Sequence, residues 1–193
     1  MGDAAPILRM SAAEFLIWER AQPVRHEYCS GEVFAMAGGS PRHNLLSAAI
    51  AAELRTALRR QGCHVLSSDQ RVSAKQGDRY VYADAVVVCG ALLTEPGADD
   101  VLANPGLIVE VLSRSTEAHD RGEKWEAYQR LPSVTDYLLV AENAVRVEHF
   151  RRETDGTWRY RTLEAGDTLV LADGASLSLD AVYEGAFAVP GDE

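Results

Sequence analysis

Apolar residues recur at helical spacing along Leu46, Ala49, Ile50, Ala57 and Leu58, and this stripe predicts the longest helix of the chain. Ser40-Pro41 supplies its N-cap and first-turn proline, and Gly62 closes it. Ser11-Ala-Ala-Glu14 is a capping box ahead of Phe15-Leu-Ile-Trp18, so a short first helix begins near residue 11. Between them, His26-Glu-Tyr28 and Glu32-Val-Phe-Ala-Met36 flank a Ser30-Gly31 turn and predict a hairpin.

Short apolar runs then predict strands at about 63–67, 70–75, 79–89 and 106–113, with a turn at Gln76-Gly77-Asp78. The stretch from Gly90 to Pro105 holds Pro96, Gly97 and Asn104 and reads as a long loop. Asp120-Arg-Gly-Glu123 reads as a second capping box, opening a helix that Pro132 ends. After it the pattern is mostly β. Strands are expected at Tyr137–Val140 and Arg146–Phe150, followed by an Asp155-Gly156 hairpin into Trp158–Leu163. Shorter strands follow near 168–171 and 176–179, then a turn of helix around 181–183 and a frayed tail from Pro190 to Glu193.

Two carboxylates break this pattern. Asp84 interrupts Tyr80-Val-Tyr-Ala-Asp84-Ala-Val-Val-Val88, and Glu110 interrupts Leu107-Ile-Val-Glu110-Val-Leu112. Both runs read as strands covered on both faces, where an unpaired carboxylate costs several kcal/mol. Alternation puts Tyr82, Asp84, Val86 and Val88 on one face of the first strand, and Ile108, Glu110 and Leu112 on one face of the second. If the strands pair, the acids lie side by side and invite a divalent cation. Mg²⁺ fits, because it takes one or two carboxylates and fills its other positions with water and phosphate. Lys124, Ala127, Tyr128 and Leu131 form one helical stripe, which turns the lysine toward the same core. Two acids and a lysine so placed point to metal-assisted hydrolysis.

A length of 193 residues with 47% apolar and 25% charged positions suits one soluble domain. No apolar run approaches the roughly 20 residues that span a bilayer. The start, Met1-Gly-Asp-Ala-Ala-Pro6, has no signal-peptide pattern. Cys29, Cys63 and Cys89 are odd in number and widely spaced, which predicts reduced thiols and a cytoplasmic protein. The net charge of −10 argues against a broad basic footprint for nucleic acid. The arginines gather only in small groups, Arg55, Arg59 and Arg60, and Arg146, Arg151 and Arg152.

Asp84, then Glu110-Val-Leu112-Ser113, then Asp120-Arg-Gly-Glu-Lys124-Trp-Glu-Ala-Tyr128 resembles a bacterial restriction-endonuclease family of the PD-(D/E)xK nuclease superfamily. The resemblance extends to the Ser30-Gly31-Glu32 hairpin, to His43 and to Tyr137-Leu-Leu-Val140. It implies a restriction-endonuclease-like α/β fold: a mixed central sheet flanked by helices, with a C-terminal antiparallel β extension. Within one domain it divides the chain into an N-terminal helix and hairpin (10–40), a nuclease core (40–142) and a β extension (143–188). It implies Mg²⁺-dependent hydrolysis of DNA, with Mn²⁺ as a substitute cation, by a homodimer. Asp84 and Glu110 would be catalytic metal ligands, Lys124 the catalytic lysine, and Glu27 and His43 auxiliary groups. Asp69 and Gln70 read as bystanders. Two positions depart from the pattern: Ala83 stands where the superfamily has proline, and Leu112 where it has lysine. The resemblance therefore implies that the ammonium has moved to Lys124. The alternatives are a non-catalytic binding or assembly module that keeps the fold, and a hydrolase of small phosphoesters.

Overall fold

The computed structural model describes residues 6–74 and 78–192. A seven-stranded sheet runs in the order β1 (Leu8–Arg9), β3 (Glu32–Ala35), β2 (His26–Cys29), β6 (Arg79–Tyr82), β5 (Arg71–Ala74), β9 (Ala98–Leu102), β8 (Thr94–Glu95). A six-stranded sheet runs β13 (Trp158–Glu164), β12 (Arg146–Arg152), β11 (Asp136–Ala141), β10 (Leu107–Leu112), β7 (Ala85–Cys89), β4 (Cys63–Ser67). It is mixed: β10 and β11 are parallel and its other pairs antiparallel. β14 (Thr168–Val170) and β15 (Ser176–Ser178) form a separate hairpin. The C-terminal antiparallel extension therefore has two parts, β12–β13 widening the central sheet and β14–β15 packing beside it.

Strand alternation divides the core. Val87, Val109, Val111, Leu138 and Val140 face Leu46, Ile50, Leu54 and Leu58 of helix α2 (Pro41–Leu58), whose N-cap Ser40 accepts from the His43 amide. The hairpin β14–β15 and α5 (Leu179–Val182) close this layer with Leu177 and Val182. Each of these aliphatic side chains contributes about 1.5–3 kcal/mol on burial. Val86, Val88, Ile108, Leu112, Tyr137 and Leu139 face the other way, against Val72, Val81, Ala127 and Tyr128. Parallel strands β10 and β11 require a crossover, and it runs through α3 (Glu117–His119), a π-helical turn (Asp120–Lys124) and α4 (Trp125–Tyr128). This crossover carries Lys124 and Tyr128 onto the face from which Glu110 projects. The first helix, α1 (Ala12–Glu19), has the expected capping box, and the Ser30-Gly31 turn adopts left-handed backbone at both residues.

Several expectations change. The run from 79 to 89 is not one strand: β6 and β7 belong to different sheets, and Asp84 occupies the bend between them. The segment 90–105 is not all loop, because β8 and β9 pair across the Pro96-Gly97 turn. Asp120 does not cap a helix. The helical segment begins three residues earlier at Glu117, and Asp120 is buried inside it. Cys63 and Cys89, directly opposite on β4 and β7, form a disulfide, so only Cys29 is free and the cysteine argument for a reducing compartment lapses. The tail from Pro190 to Asp192 is held: the Arg42 amide donates to the Pro190 carbonyl at 2.9 Å and the Asp192 amide to Glu142 Oε1 at 3.0 Å. Residues 1–5, Lys75 at the end of the expected 70–75 strand, Gln76 and Gly77 of the expected turn, and Glu193 lie outside the described residues. Among the described residues no helix is long and apolar enough to cross a membrane.

Candidate active site

The antiparallel register pairs Val109 with Ala85, and one further step sets Glu110 opposite Asp84. The ladder ends there because the chain bends into β6, and the Asp84 carboxylate takes over the pairing. Its Oδ2 accepts from the Val111 amide at 2.7 Å. Asp84 and Glu110 both line a cleft of about 270 Å³, together with His43, Ser113, Asp120 and Lys124. Among the described residues no third His, Cys, Asp or Glu completes a mutual ligand group with these two acids.

Lys124 is 6% exposed, and its ammonium is surrounded by oxygen. Nζ lies 3.2 Å from Glu27 Oε1, 3.2 Å from Glu110 Oε1 and 3.3 Å from Asp120 Oδ1, and it donates to the Tyr82 carbonyl at 3.1 Å. Burial opposes its charge, but the three carboxylates outweigh burial and raise its pKa well above the lysine value. The three acids do not fare equally. Burial tends to raise Glu27, but Lys124, His119 and the Tyr82 amide more than compensate and lower it to about 2. Glu110 goes the other way. Burial first, then the neighbouring Asp120, Asp84 and Glu27 charges, overcome Lys124 and hold its carboxyl well above the usual range. One ammonium is shared by three buried carboxylates, and His119 adds support only at Glu27.

Asp120 and Tyr128 are the members that sequence reasoning missed. Tyr128 donates its hydroxyl to Glu110 Oε1 at 3.0 Å. Asp120 was hidden by its resemblance to an N-cap. The signal was available in its i,i+4 spacing to Lys124, which puts both side chains over one face of the helical segment. Glu27 joins the cluster through Lys124 and accepts from the Tyr82 amide at 3.2 Å. Its second oxygen lies 3.6 Å from His119 Nε2. Asp69 is largely exposed and pairs with Arg25 at 3.0 Å, and Gln70 donates to the Arg71 and Asp100 carbonyls; neither lines the cleft.

His43, in the first turn of α2, brings Nε2 to 3.5 Å from Asp84 Oδ2. Burial disfavours its cation, but Asp84, Glu142 and the Val111 carbonyl together outweigh burial and raise its pKa. Gly39 makes this placement fit. A Cβ there would lie 2.6 Å from His43 Nδ1. Gly39→Ala is therefore expected to cost about 1–2 kcal/mol and to push the imidazole off Asp84. An NMR titration checks this: the raised His43 pKa should fall back toward the ordinary value, and an unchanged titration would refute the contact.

The fold is that of a nuclease-like α/β protein. It superposes with a TM-score of 0.74 on the crystal structure of "a putative nuclease belonging to DUF820" from Anabaena variabilis, covering 92% of this chain and 99% of that one at 12% identity. The chain belongs to the Uma2 family, described as "Putative restriction endonuclease", whose profile matches residues 12–182. Two uncharacterized proteins of Synechocystis sp. are similar to it. One is 34% identical over 94% of this chain and 95% of its own length, the other 30% identical over 77% and 84%.

Proposed function

We propose that the protein is a Mg²⁺-dependent endonuclease that hydrolyses phosphodiester bonds in DNA, with a site of the PD-(D/E)xK type. The observation that supports the reading is a cleft lined by both Asp84 and Glu110, in which Glu110 shares one lysine with two further buried carboxylates. The residues fit a hard divalent cation: Asp84 and Glu110 would hold it, and two carboxylates suffice for Mg²⁺. When bound, Mg²⁺ or Mn²⁺ supplies Lewis acidity to the phosphate and a more acidic water.

The chain's own groups then have distinct tasks. Lys124 stays protonated and cannot act as a base, so its role is to orient an attacking hydroxide and to stabilise charge developing on the phosphorus oxygens. Glu27, Asp120 and the Tyr82 carbonyl hold the ammonium in place. Tyr128 orients Glu110. His43, with its raised pKa, offers a cation or a proton at the Asp84 side of the cleft. Cutting both strands with one site per chain favours a homodimer, and a DNA substrate favours a cytoplasmic setting.

The test is cleavage of supercoiled plasmid by untagged protein with Mg²⁺, with Mn²⁺ and with EDTA. Nicking or linearisation that needs the cation and disappears in Asp84→Asn supports the reading. A folded wild type that leaves plasmid, linear and single-stranded DNA intact would overturn it. Two features favour the non-catalytic alternative. Leu112, at the usual lysine position, is buried in the core, and Lys124 already has four oxygen partners. DNA binding without any cleavage would select that reading.

A further inference from the structure

The strand that begins beside Asp84 ends at Cys89, roughly 15 Å away at the usual rise per residue. There Cys89 faces Cys63, the first residue of β4. The adjoining Gly62–Gly90 pair is hydrogen-bonded, with the Gly90 amide donating to the Gly62 carbonyl at 3.1 Å. The two cysteines therefore form the non-hydrogen-bonded pair in which facing side chains come closest, and their Cα atoms are 3.9 Å apart. A third group arrives from the turn between β14 and β15. Asp173 is fixed there by accepting the Ala175 amide at 2.9 Å. One ligand atom of each of Cys63, Cys89 and Asp173 lies within 4.8 Å of the others. Cys89 and Asp173 are exposed and Cys63 half-buried, so reagents in solution reach all three. Beside Cys89 and Asp173 lies a separate cavity of about 410 Å³, lined also by Leu58, Leu107, Asn104 and Ser133.

We propose that Cys63, Cys89 and Asp173 form a second cation site, for a soft divalent ion of the zinc class, which the disulfide closes and a dithiol reductant opens. Reduction transfers two electrons and two protons to the disulfide, yielding two thiols while the dithiol becomes a disulfide. The cation then displaces both thiol protons. Two thiolates and a carboxylate are a soft donor set that selects zinc over magnesium, so the site does not duplicate the cleft at Asp84 and Glu110. Three protein ligands leave a fourth position open for water or a ligand atom, and the cavity beside Cys89 and Asp173 provides room for it. Tetrahedral zinc with bonds of about 2.3 Å needs the sulfurs about 3.8 Å apart, which rotation of either side chain about its Cα–Cβ bond provides. This proposal is independent of the nuclease reading.

The experiment uses untagged full-length protein, reduced with a dithiol and freed of excess reductant under inert gas. Zn²⁺ is titrated against a chromophoric chelator, and Co²⁺ serves as a spectroscopic probe. Reduced wild type should take up one equivalent of Zn²⁺, and with Co²⁺ should show a thiolate-to-metal charge-transfer band. Both should vanish in Cys63→Ser and in Cys89→Ser, and Asp173→Asn should weaken binding about tenfold or more. Asp84→Ala should keep both signals. Circular dichroism matching the wild type ensures that a lost equivalent is not a lost fold. Equal titration of reduced wild type and Cys89→Ser would overturn the proposal. So would equal uptake by the oxidised protein, or an Asp173→Asn variant that binds like wild type.

Discussion

Glu110→Gln is expected to cost about three orders of magnitude of cleavage rate while raising the stability of the metal-free protein at pH 7 by about 1–2 kcal/mol. The loss follows from the cation, which supplies several kcal/mol to the transition state at tenfold per ~1.4 kcal/mol. The gain follows from burial. Glu110 is 3% exposed, and its carboxyl is held well above the usual range by burial and by three neighbouring acids. An acid whose folded pKa is raised contributes its stability below its unfolded value, near 4.5, and loses it as pH rises through the folded value. At pH 7 its ionised form is therefore a burden, and an amide that still accepts from Tyr128 and Lys124 removes it. Melting curves in EDTA should show the gain at pH 7, shrinking on acidification and gone below about 4.5. Glu27→Gln should behave oppositely. Glu27 is depressed to about 2, so its stabilisation is present above 4.5 and fades as pH falls toward 2. A Glu110→Gln variant less stable than wild type at pH 7 would sink the account of the cluster's charge.

Those opposite behaviours in one cluster show what the sequence could and could not convey. Period-two alternation in Leu107–Leu112 correctly set Glu110 on the face of Ile108 and Leu112, and helical spacing correctly buried Lys124 with Ala127 and Tyr128. Both are local properties of one element. The bend at Asp84 was illegible because β6 and β7 are apolar on either side of it, so no change of pattern marks the passage between sheets. The paired strands β8 and β9 were hidden by Pro96-Gly97, since a tight turn and a long loop use the same residues. The disulfide joins cysteines 26 residues apart, and only the register of β4 on β7 brings them together. Asp120 shows a different ambiguity: its spacing to Glu123 reads as a cap while its i,i+4 spacing to Lys124 reads as a buried pair, and only packing selects the second. The π-helical turn that contains both residues is a feature of packing.

Lys124→Ala is the second large effect, and it divides into a stability term and a rate term. Removing the ammonium takes from Glu27, Glu110 and Asp120 the one lysine they share, at about 3–5 kcal/mol, a large share of the stability of an ordinary domain. Lys124→Ala with Glu27→Gln removes one negative charge as well and should recover part of that loss, which gives a folded background for kinetics. In that background the cleavage rate should fall about a hundredfold or more. Mg²⁺ affinity should hold or tighten, because the ammonium no longer competes for Glu110. Lys124→Arg should restore little, since a planar guanidinium does not fit a pocket built around a compact ammonium with four oxygen partners. Adding Leu112→Lys to Lys124→Ala tests whether the two positions serve one volume of space. Leu112 shares the face of Glu110, one pleat further along β10, so its ammonium enters the site from the strand rather than from the helical crossover. Partial recovery of rate by this double variant is the expected result. A wild-type rate in Lys124→Ala, measured where the variant is folded, would remove Lys124 from the chemistry and leave it as the counter-ion that lets three acids share a core.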